Sequence, residues 1–116
     1  MTQPTTQQTM RRLRLDRALI HDLVTVLSAH PAGVRRWTLM RSMRALAEKA
    51  NREVTPKFED DVERAFRRLC EGDSVYTALP EKPPALFFRP KDSVGEVWAV
   101  HSDKAQAFVE GRLLAA

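Results

Sequence analysis

The stretch Thr55 to Gly72, TPKFEDDVERAFRRLCEG, constrains the chain more than any other. Phe58, Val62, Ala65, Phe66 and Leu69 recur at helical spacing and make one apolar stripe. The opposite face carries Lys57, Asp60, Arg64, Arg67 and Glu71. Thr55 has the hydroxyl of an N-cap, and Pro56 fits the first helical position, where no amide donor is needed. Glu59 and Asp60 lie near the positive end of the helix dipole, and Arg67 and Arg68 toward the negative end. Gly72 suits a left-handed closing residue. The segment is therefore expected to be a single amphipathic helix whose outward face is mixed in sign.

Around this helix, 116 residues leave room for one compact domain. Residues 1–10, rich in Thr and Gln, read as a disordered tail, and residues 11–116 as the domain. A content of 43% hydrophobic and 29% charged residues fits a soluble globular protein. No apolar run is long enough to span a bilayer, and MTQPTTQQTM lacks the apolar core of a signal peptide. A cytoplasmic protein without membrane partners is expected. Cys70 is the single cysteine, so no intramolecular disulfide can form, and its place beside the apolar stripe makes it a structural thiol. The net charge is +4, and its distribution is uneven. Residues 1–55 hold 10 basic against 4 acidic side chains, whereas residues 56–116 hold 9 against 11. A nucleic-acid surface would draw mainly on the first half.

Arg11, Arg12, Arg14 and Arg17 form a basic cluster that reads either as an arm touching phosphates or as a solvated approach to the first helix. That helix is expected from an Asp16 cap to about Ala29, with Ile20, Leu23, Val24 and Leu27 inward. Pro31 stops it, because the residue before a proline avoids helical geometry, and Pro31-Ala32-Gly33 is a turn. Val34 to Arg36 is a short strand. A second helix runs from about Trp37 to Asn51, with Leu39, Met40, Met43, Leu46, Ala47 and Ala50 on its apolar face and Trp37 packed at its start. After Gly72 the period changes to two. Strands are expected at Ser74–Leu79, Ala85–Arg89 and Val97–His101, the last two forming a hairpin across a turn-rich loop. Phe87, Phe88 and Trp98 would pin the hairpin to the helices. Ser102 would cap a last helix running to about Leu114, with Ala105, Phe108, Val109 and Leu113 available to pack. His21 and His30 have no second ligand at metal spacing, so both read as surface or helix-end residues.

Helix, short strand, two helices and a hairpin follow one another in the order of the winged helix-turn-helix. "VTPKFEDDVERAFRRLCEGDSVY" resembles the recognition helix and following strand of bacterial winged-helix regulators, and "HPAGVRRWTLMRSMRAL" resembles the preceding turn and helix. The resemblance covers residues 13 to 101 and is one of architecture. It implies an α+β fold with a three-helix core, a C-terminal hairpin wing and an added last helix, which by analogy would pair two chains. It also implies a transcriptional regulator, with the central helix in the major groove of double-stranded DNA and the hairpin loop at phosphates or the minor groove. Charge supports Arg35, Arg36, Arg41 and Arg44 as phosphate contacts. Arg64 and Arg67 would read bases, Lys57 would add charge at the helix start, and Arg89 and Lys91 would act from the loop. Glu59, Asp60, Asp61, Glu63, Asp92 and Glu96 depart from the pattern of a strong nonspecific binder.

Those acidic residues, with the Pro-rich and aromatic segment Pro83 to Phe88, support a second reading as a protein-binding module within a larger assembly. An enzyme is not expected. The chain has no glycine-rich phosphate loop, no cysteine or histidine cluster and no nucleophile motif. Asp60 and Asp61 are adjacent and point about 100° apart on a helix, so they form no carboxylate pair. No cofactor or metal is implied. Glu63 and Arg67 are spaced to pair along the helix.

Overall fold

The computed structural model describes residues 16–112. The arginines at 11, 12 and 14 and the leucines at 13, 15, 113 and 114 lie outside that range. Among the described residues the fold is mixed α+β, with five helices and three antiparallel strands. Helix α1 spans Arg17–Ser28. As expected, Asp16 caps it, its carboxylate accepting from the Leu19 amide at 3.1 Å. Leu19, Ile20, Leu23, Val24 and Leu27 face the core. The chain then turns through Pro31 and Ala32 to Gly33, whose φ is +99°. A Cβ there would lie 2.6 Å from Val97 Cγ1, so only glycine lets the backbone approach this closely.

That approach makes the sheet. Strand β1 is only Val34–Arg35, and it pairs antiparallel with β3, Val97–Val100, in the register Val34 to Trp98. Strand β2, Phe87–Phe88, pairs with the other edge of β3, giving the order β1-β3-β2. Helix α2, Arg36–Lys49, has no side-chain cap. Its first amide instead donates to the Glu96 carbonyl at 3.0 Å, so the sheet satisfies a donor the helix cannot. At its other end Asn51 takes φ +56°, and the Arg52 amide returns to the Ala47 carbonyl at 2.8 Å. The Arg52 guanidinium then pairs with Asp22 of α1, a carboxylate that is nearly buried.

Helix α3 is shorter than expected, Phe58–Arg67. Thr55 is not its N-cap and Pro56 is not its first residue. The Phe58 amide donates to the Thr55 carbonyl in a turn, so the helix begins where Phe58 enters the core. The expected apolar stripe is correct: Phe58, Val62, Ala65, Phe66 and Leu69 are all buried. The expected strand at Ser74–Leu79 is absent. Ser74–Thr77 forms α4, a single turn capped by Asp73, whose carboxylate accepts from the Val75 amide at 2.8 Å. Tyr76 Oη donates to the Pro83 carbonyl at 2.6 Å and holds the following loop. At the start of β2, the Phe87 amide donates to the Leu69 carbonyl and its carbonyl accepts from the Glu71 amide, which docks the chain leaving α3 onto the sheet.

Helix α5, Ser102–Val109, starts without the expected Ser102 cap; His101 occupies the cap position. Ala105 and Phe108 pack inward, while Val109 stays exposed. The apolar face of α5 is thus largely used within the chain. Phe66 sits at the centre of the core, stacked 4.0 Å from Trp98 and 5.2 Å from Phe87 between ring centroids. These three rings are fully buried and join α3 to both paired strands. Phe88 is only half-buried and stacks on His101.

Candidate nucleic-acid interface

Helix α2 and its cap residue Arg35 present four of the expected contacts. Arg35 is exposed at its start, and among the described residues no carboxylate pairs with it. Arg36 reaches α3: its Nε is 3.0 Å from Glu63 Oε1 and its Nη1 3.8 Å from Glu59 Oε1. Two turns on, Arg44 Nη2 lies 3.0 Å from Glu59 Oε2. Between these pairs runs an open groove of about 340 Å³, lined by Arg36, Trp37, Met40, Arg41, Arg44 and Glu59, with Ala45 and Glu48 completing its wall. Trp37 does not pack into the core as expected. It is 68% exposed, and the Arg41 guanidinium lies 4.9 Å from its ring centroid, a cation–π contact one helical turn away. Arg41 has no carboxylate partner among the described residues.

The expected base readers are differently placed. Arg64 is exposed and pairs with Asp61 at 3.3 Å. Arg67 does not pair with Glu63, which is taken by Arg36. Instead its Nε lies 3.2 Å from Asp73, and its Nη2 meets Ser74 Oγ at 3.2 Å. Arg89 meets the same carboxylate at 2.9 Å and lies 5.3 Å from the Phe66 ring. Asp73 is only 5% exposed. Burial opposes its ionisation, but the Val75 amide, Arg89 and Arg67 outweigh that cost and hold its carboxyl below the ordinary value. Lys57, at the start of α3, and Lys91, in the loop between β2 and β3, are exposed and have no carboxylate partner among the described residues.

Glu96 joins the two halves of this surface. Its carbonyl accepts from the Arg36 amide, and its carboxylate accepts from Trp98 Nε1 at 3.1 Å and lies 3.9 Å from Arg89 Nη2. The start of α2 and the base of the β2–β3 loop are therefore neighbours. Sequence reasoning missed three residues that shape the surface. For Asp73 a signal existed, since an aspartate before a serine-led turn is a good cap. Glu59 and Trp37 gave none, because their roles come from a neighbouring helix and from exposure.

Away from this surface Cys70 is buried, which pushes its thiol up to about 11 despite the nearby Arg89. His101 Nε2 is buried without a hydrogen bond and lies 3.5 Å from Glu71 Oε2, an ionic contact only when the imidazole is protonated. Among the described residues no group of three His, Cys, Asp or Glu side chains could hold a metal, and no helix is long and apolar enough to cross a membrane. No family model, curated protein or solved structure matches the chain.

Proposed function

We propose that the chain is a winged-helix module that binds double-stranded DNA, serving as a transcriptional regulator. The observation that carries this reading is the adjacency made by Glu96. It sets the arginine-bearing start of α2 beside the β2–β3 loop, in a chain whose elements run α1-β1-α2-α3-α4-β2-β3-α5 with β1 at one edge of the sheet. Arg35, Arg41, Lys57 and Lys91, which have no carboxylate partner among the described residues, would meet phosphates, while α3 would supply Arg64 to a base edge. Arg67 and Arg89, held by Asp73, support the surface from beneath.

The test is binding of a random-sequence duplex as salt rises. Four neutralised phosphates give a slope near −3.6 in log affinity against log salt, or roughly a 10²-fold loss between about 50 and about 200 mM. No binding at the lower salt would refute the reading. A second reading, a protein-binding module, draws on the carboxylates of α3. Glu59, Asp61 and Glu63 answer Arg36, Arg44 and Arg64 at home, which suits a partner surface of mixed charge.

A further inference from the structure

Glu59 occupies an unusual place in the groove between α2 and α3. Its two carboxylate oxygens face two different guanidiniums, Oε2 toward Arg44 at 3.0 Å and Oε1 toward Arg36 at 3.8 Å. One anion spanning two arginines is also how the two non-bridging oxygens of a phosphodiester are held. Around this spot the groove is open, about 340 Å³, with the apolar faces of Trp37, Met40 and Ala45 to one side. Arg41 stands beside it, stacked on Trp37 and without a carboxylate partner among the described residues. The side chains of Glu59 and Arg44 are nearly half exposed. An ion pair in that setting is worth only about 0–1 kcal/mol, so the carboxylate can leave at little cost.

We propose that this groove is a phosphodiester site which Glu59 fills in the free protein. Nucleic acid then binds there by exchanging its phosphate for that carboxylate. The inference rests on the DNA-binding reading and adds to it a residue that lowers affinity on purpose. The exchange frees Arg44 fully. Arg36 stays partly neutralised, because Glu63 holds its Nε from the other side. Glu48 remains in the groove wall and limits how much negative charge the site accepts. The site therefore takes a single bridging phosphate rather than a highly charged free anion. The exposed indole offers an apolar surface for the sugar next to it.

The experiment compares duplex binding by the full chain and by Glu59→Gln, with Asp103→Asn as control. The control makes the same change in net charge on α5. Glu59→Gln is expected to bind about three- to tenfold more tightly at low salt, with a salt slope close to the parent's, because the same phosphate occupies the site in both chains. Asp103→Asn should stay within about twofold of the parent, because Asp103 lies on α5 and does not line the groove. Adding Arg44→Ala to Glu59→Gln should abolish the gain. An equal gain in both single variants would mean that net charge alone acts, and would overturn the proposal. Unchanged or weaker binding by Glu59→Gln would overturn it too, while leaving the DNA reading in place. If neither the parent nor Glu59→Gln binds at low salt, the DNA reading itself falls and takes the exchange site with it.

Discussion

Asp73 organises the region where local sequence and final structure diverge most, and Asp73→Ala tests that role. The carboxylate caps α4 through the Val75 amide at 2.8 Å and meets Arg67 at 3.2 Å and Arg89 at 2.9 Å. Loss of an N-cap costs about 1 kcal/mol. Each arginine contact would be worth about 1.5–3 kcal/mol if fully buried. Both guanidiniums are more than a third exposed, however, and can return to water, so about 0.5–1 kcal/mol each is the better figure. The sum is about 2–3 kcal/mol, measured by urea denaturation. Asp73→Asn keeps an oxygen for the cap and loses the charge, so it should cost about half as much. The pH dependence follows from the direction of the shift. The folded carboxyl titrates below its ordinary value of 3.8. Its contribution is therefore fully present above that value and is lost as the pH falls through the depressed one. The stability gap between the parent and Asp73→Asn should be flat from neutral pH to just above 3.8, and close below it. A cost under about 0.5 kcal/mol for both variants would refute the account, leaving the arginines as solvated neighbours.

Two further outcomes follow from the core. Phe66→Ala should destabilise the domain by about 3–5 kcal/mol in chemical denaturation, since it empties the space between Phe87 and Trp98; a loss below about 2 kcal/mol would mean that the surrounding rings collapse onto the gap. Cys70, with its thiol at about 11 instead of 9.0, should alkylate at pH 8 about 100-fold more slowly in the folded chain than after denaturation on ionisation grounds alone. Comparable labelling rates would show that the thiol is open to solvent.

Where a signal was local, the sequence was readable. Asp16, the Pro31 stop and the stripe from Phe58 to Leu69 each depend on neighbours within a turn or two, and each stands as expected. The α3 start was misplaced because Thr55 and Pro56 satisfy cap rules that burial of Phe58 overrides. SVYTAL alternates like a strand, yet it follows an aspartate fixed by Arg67 and Arg89, and that long-range pairing selects a helical turn. Trp37 looked like core by residue type alone, but it falls outside the α2 stripe of Leu39, Met40, Met43 and Ala47. As for the candidate surface, the arginines could be named from the sequence. Which of them are neutralised could not, because Glu59 and Glu63 meet Arg36 and Arg44 only once α3 packs beside α2.

The pairing of Val34 with Trp98 also dictates the order in which the domain can assemble. β1 holds two residues, and its partner enters a little over half a chain length later. Closing so long a loop for so few backbone bonds is entropically unfavourable until other contacts have shortened it. The β1–β3 pairing is therefore expected to follow the packing of the helices, whereas β2 and β3, joined by a short loop, pair locally. The same late strand delivers the Glu96 carbonyl to the first amide of α2. A chain in which β1 and β3 have not paired therefore lacks the joined arginine-bearing surface.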